Sequence, residues 1–175
     1  MKIEATNILL VSGSGQNTGK TTLVCRLIEK FASDVTIVSI KITHHFKTLA
    51  YEMPIVLTTK EFVIYEEIER GKSKDSSRML DAGASKSYFI IAQKESIVLA
   101  MSELLLLLTP QTSIICESGG LDDYYKVGLH LHLVGSIDSG KPSRDSDLEV
   151  KFDGTDFDLP MQNISFENNS WHYKL

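Results

Sequence analysis

The sequence predicts a three-layer α/β/α fold with a mainly parallel sheet, and two features of the chain support this fold class. Apolar, strand-like runs alternate with helical patterns through the first two thirds of the sequence, which is the order that builds a parallel sheet covered on both faces. A glycine-rich turn also joins the first apolar run to the first helical pattern. The predicted elements are, in order, strand 7–12, helix 19–32, strand 35–41, helix about 74–83, strand 87–92, helix 95–108 and strand 112–117.

The helix over 95–108 contains five consecutive leucines, 104–108. A helix that is apolar on all sides is usually buried between a sheet and its neighbours. We therefore expect these leucines to belong to the core.

The length of 175 residues suits one domain, which we expect to span residues 1–175. Residues 53–72 interrupt the alternation with two short β-favouring runs and predict an inserted β-hairpin. Such a hairpin either packs on its own domain or pairs with another subunit, and its exposed edge favours pairing. A β-rich extension over about 129–175, with runs at 129–134, 148–152 and 170–173, is expected to finish the sheet and carry loops around a nucleotide base.

The turn after the first strand has the composition of a phosphate-binding loop, or P-loop. Segment 11–22 reads V-S-G-S-G-Q-N-T-G-K-T-T, with Ser14 where the strict pattern has glycine. Glycines let backbone N–H groups face the phosphates, the lysine supplies a charge near the β and γ oxygens, and the next hydroxyl can ligate Mg²⁺. The predicted nucleotide-binding residues here are Gly15, Gln16, Asn17, Thr18, Gly19, Lys20, Thr21 and Thr22.

A bound triphosphate requires a divalent metal, so an acidic residue should end another apolar strand. Glu117 ends the run 112–117 and is followed by Ser-Gly-Gly. We expect Glu117, with Thr21, to hold Mg²⁺ or to position an attacking water, and the backbone at Gly120 to pass close to the γ-phosphate. Lys20 and Glu117 are therefore the candidate catalytic residues.

The segment K-D-S-S-R at 74–78 opens a predicted helix and allows two interpretations. Asp75 or Ser73 can act as a helix N-cap. Alternatively, Asp75 is a second metal carboxylate, with Lys74 and Arg78 on anionic oxygens.

Two adjacent histidines, His44 and His45, follow the second strand. They make a poor chelating pair because neighbouring side chains on an extended segment point in opposite directions. At this edge of the sheet His44 is a candidate for contact with phosphate or substrate, and a structural role is the alternative. The segment 135–142 is the expected base-side loop, in which Asp138 either contacts a guanine edge or belongs to a simple turn.

Four motifs in this order, G-x-N-T-G-K-T-T-L, K-x-T-H-H, K-D-S-x-R with A-G-A, and E-x-G-G, resemble the molybdopterin-guanine dinucleotide biosynthesis protein B family over about residues 7–125. The resemblance implies a P-loop NTPase fold of the class that also includes dethiobiotin synthetase. It implies binding of GTP with Mg²⁺, weak GTPase activity, a homodimer, and assistance to a molybdenum-cofactor nucleotidyltransferase. It further implies that Lys20 and Thr21 bind phosphate and metal, that Asp75 and Glu117 complete the metal shell, and that His44 or His45 belongs to the functional edge.

The chain also departs from this family's pattern. Ile42 stands where the family has its first histidine, and Glu-Ser-Gly-Gly at 117–120 is closer to the corresponding turn of dethiobiotin synthetase. Two alternatives therefore stay open: an ATP-dependent small-molecule ligase or kinase of the dethiobiotin-synthetase type, and a nucleotide-binding scaffold without hydrolysis.

Charge and cysteine content limit the class of partner. The formal net charge is −5, and the 18 Lys and Arg residues are scattered, so nucleic acid is an unexpected partner. The chain opens without a charged leader and apolar stretch, and its longest apolar run is too short to span a bilayer. Cys25 and Cys116 are interpreted as buried thiols in a reducing compartment, so we expect a cytoplasmic protein without membrane contact.

Overall fold

Eight strands form one large sheet, in which the six neighbouring strands from β5 to the edge strand β8 are parallel. The computed structural model describes residues 1–13, 18–44, 52–135 and 145–174. The sheet order is β3-β4-β5-β2-β6-β1-β7-β8, so the predicted α/β class with a mainly parallel sheet is confirmed. The strands are β1 Ile3–Gly13, β2 Ile37–Thr43, β3 Ile55–Thr58, β4 Phe62–Glu67, β5 Lys86–Ala92, β6 Ser113–Glu117, β7 Tyr125–Val134 and β8 Leu148–Lys151.

Strand β1 lies inside the sheet, between β6 and β7. Its apolar residues 8–11 are all fully buried. Successive side chains point to opposite faces of a strand, so Ile8 and Leu10 join the core on one face and Leu9 and Val11 the core on the other. Burial on both faces explains why this strand is continuously apolar instead of alternating with polar residues.

Three α-helices cover the two faces of the described sheet. Helices α1 (Lys20–Phe31) and α2 (Asp75–Asp81) pack on the face of Leu9 and Val11. Helix α3 (Ile97–Leu107) packs on the other face, preceded by the 3₁₀ turn Lys94–Ser96. None of the helices in these described segments is long and apolar enough to cross a membrane.

The expectation that all five leucines 104–108 are core is wrong. Leu104 is fully buried, whereas Leu106 and Leu107 are 80% and 62% exposed. Five consecutive side chains point all around a helix, but α3 packs on the sheet along one side only, through Ile97, Ala100, Met101 and Leu104.

The predicted hairpin is present and belongs to the main sheet. Strands β3 and β4 pair antiparallel, and β4 pairs antiparallel with β5. The hairpin therefore packs on its own domain through β4, and β3 forms the edge of the described sheet.

The C-terminal extension divides into two parts. Strands β7 and β8 continue the sheet beside β1, as expected. Strands β9 (Ile164–Glu167) and β10 (Ser170–Tyr173) instead form a separate antiparallel hairpin, so the prediction that segment 170–173 finishes the main sheet is wrong. The cause is a tertiary contact: the fully buried Trp171 packs with its ring centroid 5.1 Å from Phe31 of α1 and donates from Nε1 to the carbonyl of Ile114, at 3.2 Å.

Trp171 should anchor the C-terminal hairpin to the domain. We expect Trp171→Ala to lower the free energy of unfolding by about 3–5 kcal/mol, because it empties a fully buried aromatic site. Urea unfolding followed by far-ultraviolet circular dichroism measures this change. The matched control is His172→Ala, whose side chain is exposed; equal stability of the two variants would contradict the packing role.

Candidate functional site

The carboxyl ends of three neighbouring parallel strands meet at one edge of the sheet. Glu117 of β6 is in register with Val11 of β1 and with Lys41 of β2. Cys116 faces the α3 side, so the alternation of side chains turns Glu117 and Lys41 toward α1. The strand order thus places a carboxylate and an ammonium group beside the first turn of α1.

Four side chains meet there and form what we call the Glu117 cluster: Thr21, Lys41, Asp75 and Glu117. The Thr21 hydroxyl donates to Glu117 Oε2 at 2.7 Å. Lys41 Nζ donates to Glu117 Oε1 at 2.8 Å and also to Asp75 Oδ2. Helix α1, strand β2, strand β6 and helix α2 each contribute one member of the cluster.

Lys41 is held in its charged form. Burial alone lowers the pKa of Lys41, but the charges of Glu117 and Asp75 and the hydrogen bonds to them outweigh burial and raise the pKa above its ordinary value. The ammonium group therefore compensates the two carboxylates, of which Glu117 is only 5% exposed.

The oxygen donors of the cluster suit Mg²⁺. This ion binds through one or two carboxylates and keeps its other positions for phosphate and water. Thr21 and Glu117 are already hydrogen-bonded to each other, and Asp75 accepts a hydrogen bond from Lys41, which also donates to Glu117. Across the described ranges, no group of three or more His, Cys, Asp or Glu side chains could hold a metal, so a cation here would need further oxygens from a ligand.

The described part of the predicted P-loop begins α1. Gly19 is the N-cap residue, and its φ of 89° is a left-handed value that favours glycine. Lys20 Nζ donates to Thr18 Oγ1 at 3.1 Å, and Thr22 lies in the first helical turn. The predicted binding residues Gly15, Gln16 and Asn17 lie outside the described residues.

The K-D-S-S-R segment contributes Asp75 to the cluster. Its N-cap residue is Lys74, so the prediction of Asp75 or Ser73 at that position is wrong. Lys74 pairs with Glu69 at 3.9 Å, and Arg78 pairs with Asp75 at 3.6 Å. Lys74 has an extended backbone and caps the helix without a side-chain hydrogen bond, and Asp75 is the first helical residue.

His44 and Gly120 lie beside each other. A Cβ placed on Gly120 would be 3.4 Å from His44 Nε2 and 3.8 Å from Ile97 Cδ1. His44 Nδ1 lies 3.1 Å from the carbonyl oxygen of Ala92 and donates to it. These contacts place His44 on the α3 side of the edge, whereas the Glu117 cluster is on the α1 side. His45 and Asp138 lie outside the described residues.

Lys41 is the member of the Glu117 cluster that the sequence analysis did not assign to the site. Two signals were available: its position at the start of the K-x-T-H-H motif and its charge within a strand that is otherwise uncharged.

The chain matches no protein-family model, no curated protein and no solved structure.

A second polar group lies at the same edge on the α3 side of the sheet. Ser12 Oγ is 2.7 Å from His130 Nε2 and 2.7 Å from His132 Nδ1. His130 Nδ1 lies 3.2 Å from the carbonyl oxygen of Asp145, which can only accept, so Nδ1 carries a hydrogen. Neutral His130 then accepts from the Ser12 hydroxyl through Nε2, and Ser12 accepts from His132. These bonds join the end of β1 to β7.

The first prediction from this edge concerns Lys41. We expect Lys41→Met to lower the free energy of unfolding at pH 7 by about 2–4 kcal/mol, because it leaves two neighbouring carboxylates without their shared cation. Chemical denaturation measures the loss. Lys86→Met is the matched control, since the Lys86–Glu66 pair is solvent-exposed and should contribute about 1 kcal/mol or less. A cost for Lys41→Met no larger than that of the control would contradict the structural importance of the cluster.

The second prediction concerns pH. Burial is the main cause that lowers the pKa of His130 below 6.5; the nearby His132 also lowers it, and Asp122 and Asp147 partly oppose the shift. Unfolded His130 therefore binds a proton that the folded protein does not, and the free energy of unfolding should fall as the pH drops below about 6.5.

The measurement is the slope of this free energy between pH 7 and pH 5. His130→Gln cannot titrate and should lessen the slope by up to about 1.4 kcal/mol per pH unit. His172→Gln, at an exposed position, should keep the parent slope. A parent-like slope in His130→Gln would show that this histidine is not held neutral.

Proposed function

We propose that this chain binds a nucleoside triphosphate with Mg²⁺ at the Glu117 cluster, hydrolyses it slowly, and belongs to the three-layer P-loop NTPases. One observation carries the proposal: the hydroxyl that follows the P-loop lysine, on Thr21, contacts the carboxylate at the end of the neighbouring strand, on Glu117. Mg²⁺ bound to nucleotide requires this pair of oxygen donors in P-loop proteins.

Each residue of the site then has a defined task. Backbone N–H groups over 15–19 and the start of α1 bind the phosphates, and Lys20 adds a positive charge. Thr21 and Glu117 would hold Mg²⁺, which supplies charge neutralisation for the phosphates when it is bound. Lys41 keeps Asp75 and Glu117 in place and presents its ammonium group on the γ-phosphate side.

The hydrogen bonds of Glu117 favour slow hydrolysis. Both carboxylate oxygens accept a bond, Oε1 from Lys41 and Oε2 from Thr21. A carboxylate engaged in this way is a weak acceptor for a proton from an attacking water. Slow hydrolysis suits a nucleotide-binding protein that acts by changing the conformation or assembly of a partner protein. With the family resemblance, it supports a GTP-binding, homodimeric accessory protein for a molybdenum-cofactor nucleotidyltransferase.

The position of Lys41 favours one alternative, an ATP-dependent ligase or kinase of the dethiobiotin-synthetase type. Its ammonium group lies among the residues that would surround the γ-phosphate, where it could stabilise a transferring phosphoryl group or bind an anionic substrate. In that case the triphosphate would be consumed in proportion to a product.

Thermal shift with Mg²⁺ and GTP, ATP, GDP or ADP tests the proposal. A ligand at about 100 times its Kd stabilises by roughly 2.7 kcal/mol, which should raise the Tm by roughly 5–10 °C for a domain of this size. Lys20→Ala should abolish the shift, whereas Lys30→Ala, exposed at the far end of α1, should keep it. No shift in the parent protein, or an undiminished shift in Lys20→Ala, would reject the site.

Base preference and turnover separate the two functions. A guanine-selective shift with slow phosphate release, reduced further in Glu117→Gln, would support the accessory protein. An adenine-selective shift, with phosphate release that rises when a small carboxylic acid is added, would support the ligase or kinase. Binding with no phosphate release above background would identify a nucleotide-binding scaffold.

A further inference from the structure

We propose that Glu67, the last residue of β4, is a positioning residue for the metal site. Through Ser76 it holds the first turn of α2 in place, and this turn carries Asp75 of the Glu117 cluster. The inference rests on the proposed function and gives the inserted hairpin, β3 and β4, a part in the binding of Mg²⁺.

Glu67 is a buried carboxylate that binds the first turn of α2. It is only 2% exposed, and Ser76 is 4% exposed. Glu67 Oε2 accepts from the Ser76 hydroxyl at 2.8 Å, and Oε1 accepts from the backbone N–H of Glu69 at 3.0 Å. Hydrogen bonds to a carboxylate are roughly twice as strong as those between neutral groups. The bond to Ser76 therefore holds the residue that directly follows Asp75.

The loop that follows Glu67 binds the same helix at two further points. The backbone N–H of Lys72 donates to Ser77 Oγ at 3.1 Å, and the backbone N–H of Gly71 donates to the Asp81 carboxylate at 2.9 Å. Helix α2 has only seven residues, and a helix of this length is not stable by itself. Contacts with the hairpin and its loop therefore help to set where α2 lies.

Hydrogen bonds align the first turn of α2 because that turn, D-S-S-R, contains no apolar side chain. The sheet beneath it is also polar near Glu67. Ser87 of β5 is in register with Glu67, and Ser39 of β2 is in register with Ser87. Residues directly opposite each other share a face of the sheet, and all three are buried. Loss of the Glu67–Ser76 bond would leave this turn with little apolar contact to hold it.

The position of Asp75 affects how strongly Lys41 binds Glu117. Lys41 Nζ donates to both carboxylates, which share its positive charge. If the first turn of α2 moves away, Lys41 pairs with Glu117 alone and competes more strongly with Mg²⁺ for that carboxylate. The move also takes the Asp75 oxygens away from the edge at which the metal would bind. Both effects lower the affinity for Mg²⁺.

The test measures how much Mg²⁺ strengthens nucleotide binding. The Kd of GTP and the Kd of ATP are measured by calorimetry with saturating Mg²⁺ and again with EDTA, and the ratio of the two values for one nucleotide is its Mg²⁺ gain. Glu67→Gln removes the charge, and Ser76→Ala removes the hydroxyl. Glu66→Gln is the matched control, because the neighbouring Glu66 points to the other face and pairs with Lys86 at 3.2 Å.

We expect Glu67→Gln and Ser76→Ala each to lower the Mg²⁺ gain roughly tenfold, as is typical of residues that support metal ligands. The Kd in EDTA should stay at the parent value, and Glu66→Gln should keep the parent gain. A loss of stability alone would not change this ratio in the folded protein. Ser76→Ala removes a single oxygen and keeps the test available if Glu67→Gln does not fold. A parent gain in either folded variant would overturn the positioning role.

A double-mutant cycle shows whether Glu67 acts through Asp75. Asp75→Asn should lower the Mg²⁺ gain by itself, and Glu67→Gln added to it should cause little further loss, because the two residues act as one unit. Losses that multiply, or a parent gain in Asp75→Asn, would contradict the inference. A parent protein that binds no nucleotide, or binds it equally well in EDTA, would reject the proposed function itself, which is a different result from a parent gain in Glu67→Gln.

Discussion

The buried carboxylate of Glu117 is the group on which the arrangement of the site depends. A charge that is only 5% exposed needs donors on both oxygens, and it obtains them from Thr21 of α1 and Lys41 of β2. Lys41 extends the pairing to Asp75 at the start of α2. One carboxylate thereby links two helices to two strands.

The alternation of side chains gives the same edge of the sheet two different chemistries. On the α1 side, Lys41 and Glu117 form an ionic cluster that suits phosphate and metal. On the α3 side, Ser12 joins His130 and His132 through hydrogen bonds in which the imidazole of His130 is neutral. The polar side chains on each face find their hydrogen-bond partners on that same face. Strand β1 can therefore have polar groups on both sides of its carboxyl end although its residues 8–11 are fully buried.

Residues of the C-terminal extension pack into the core of the domain and against helix α1. Trp171 fills the core between Phe31 of α1 and the carbonyl of Ile114. Phe152 closes over Gly19, where α1 begins. Helix α1 is therefore held at both ends by residues more than a hundred positions away, so its placement depends on the folding of the last third of the chain.

The sequence by itself determined the parallel strands and the start of α1 at the Gly-Lys-Thr turn, because local periodicity and motif composition encode these features. It predicted Thr21 and Glu117 as a pair and left Asp75 open between a helix N-cap and a metal carboxylate. It did not determine which side of α3 is uncovered, so Leu106 and Leu107 were wrongly assigned to the core. Lys41 and Phe152 depended on tertiary structure for a physical reason: their neighbours are set by strand order. Only a sheet that places β2 beside β6, and β8 two strands beyond β1, brings Lys41 to Glu117 and Phe152 to Gly19.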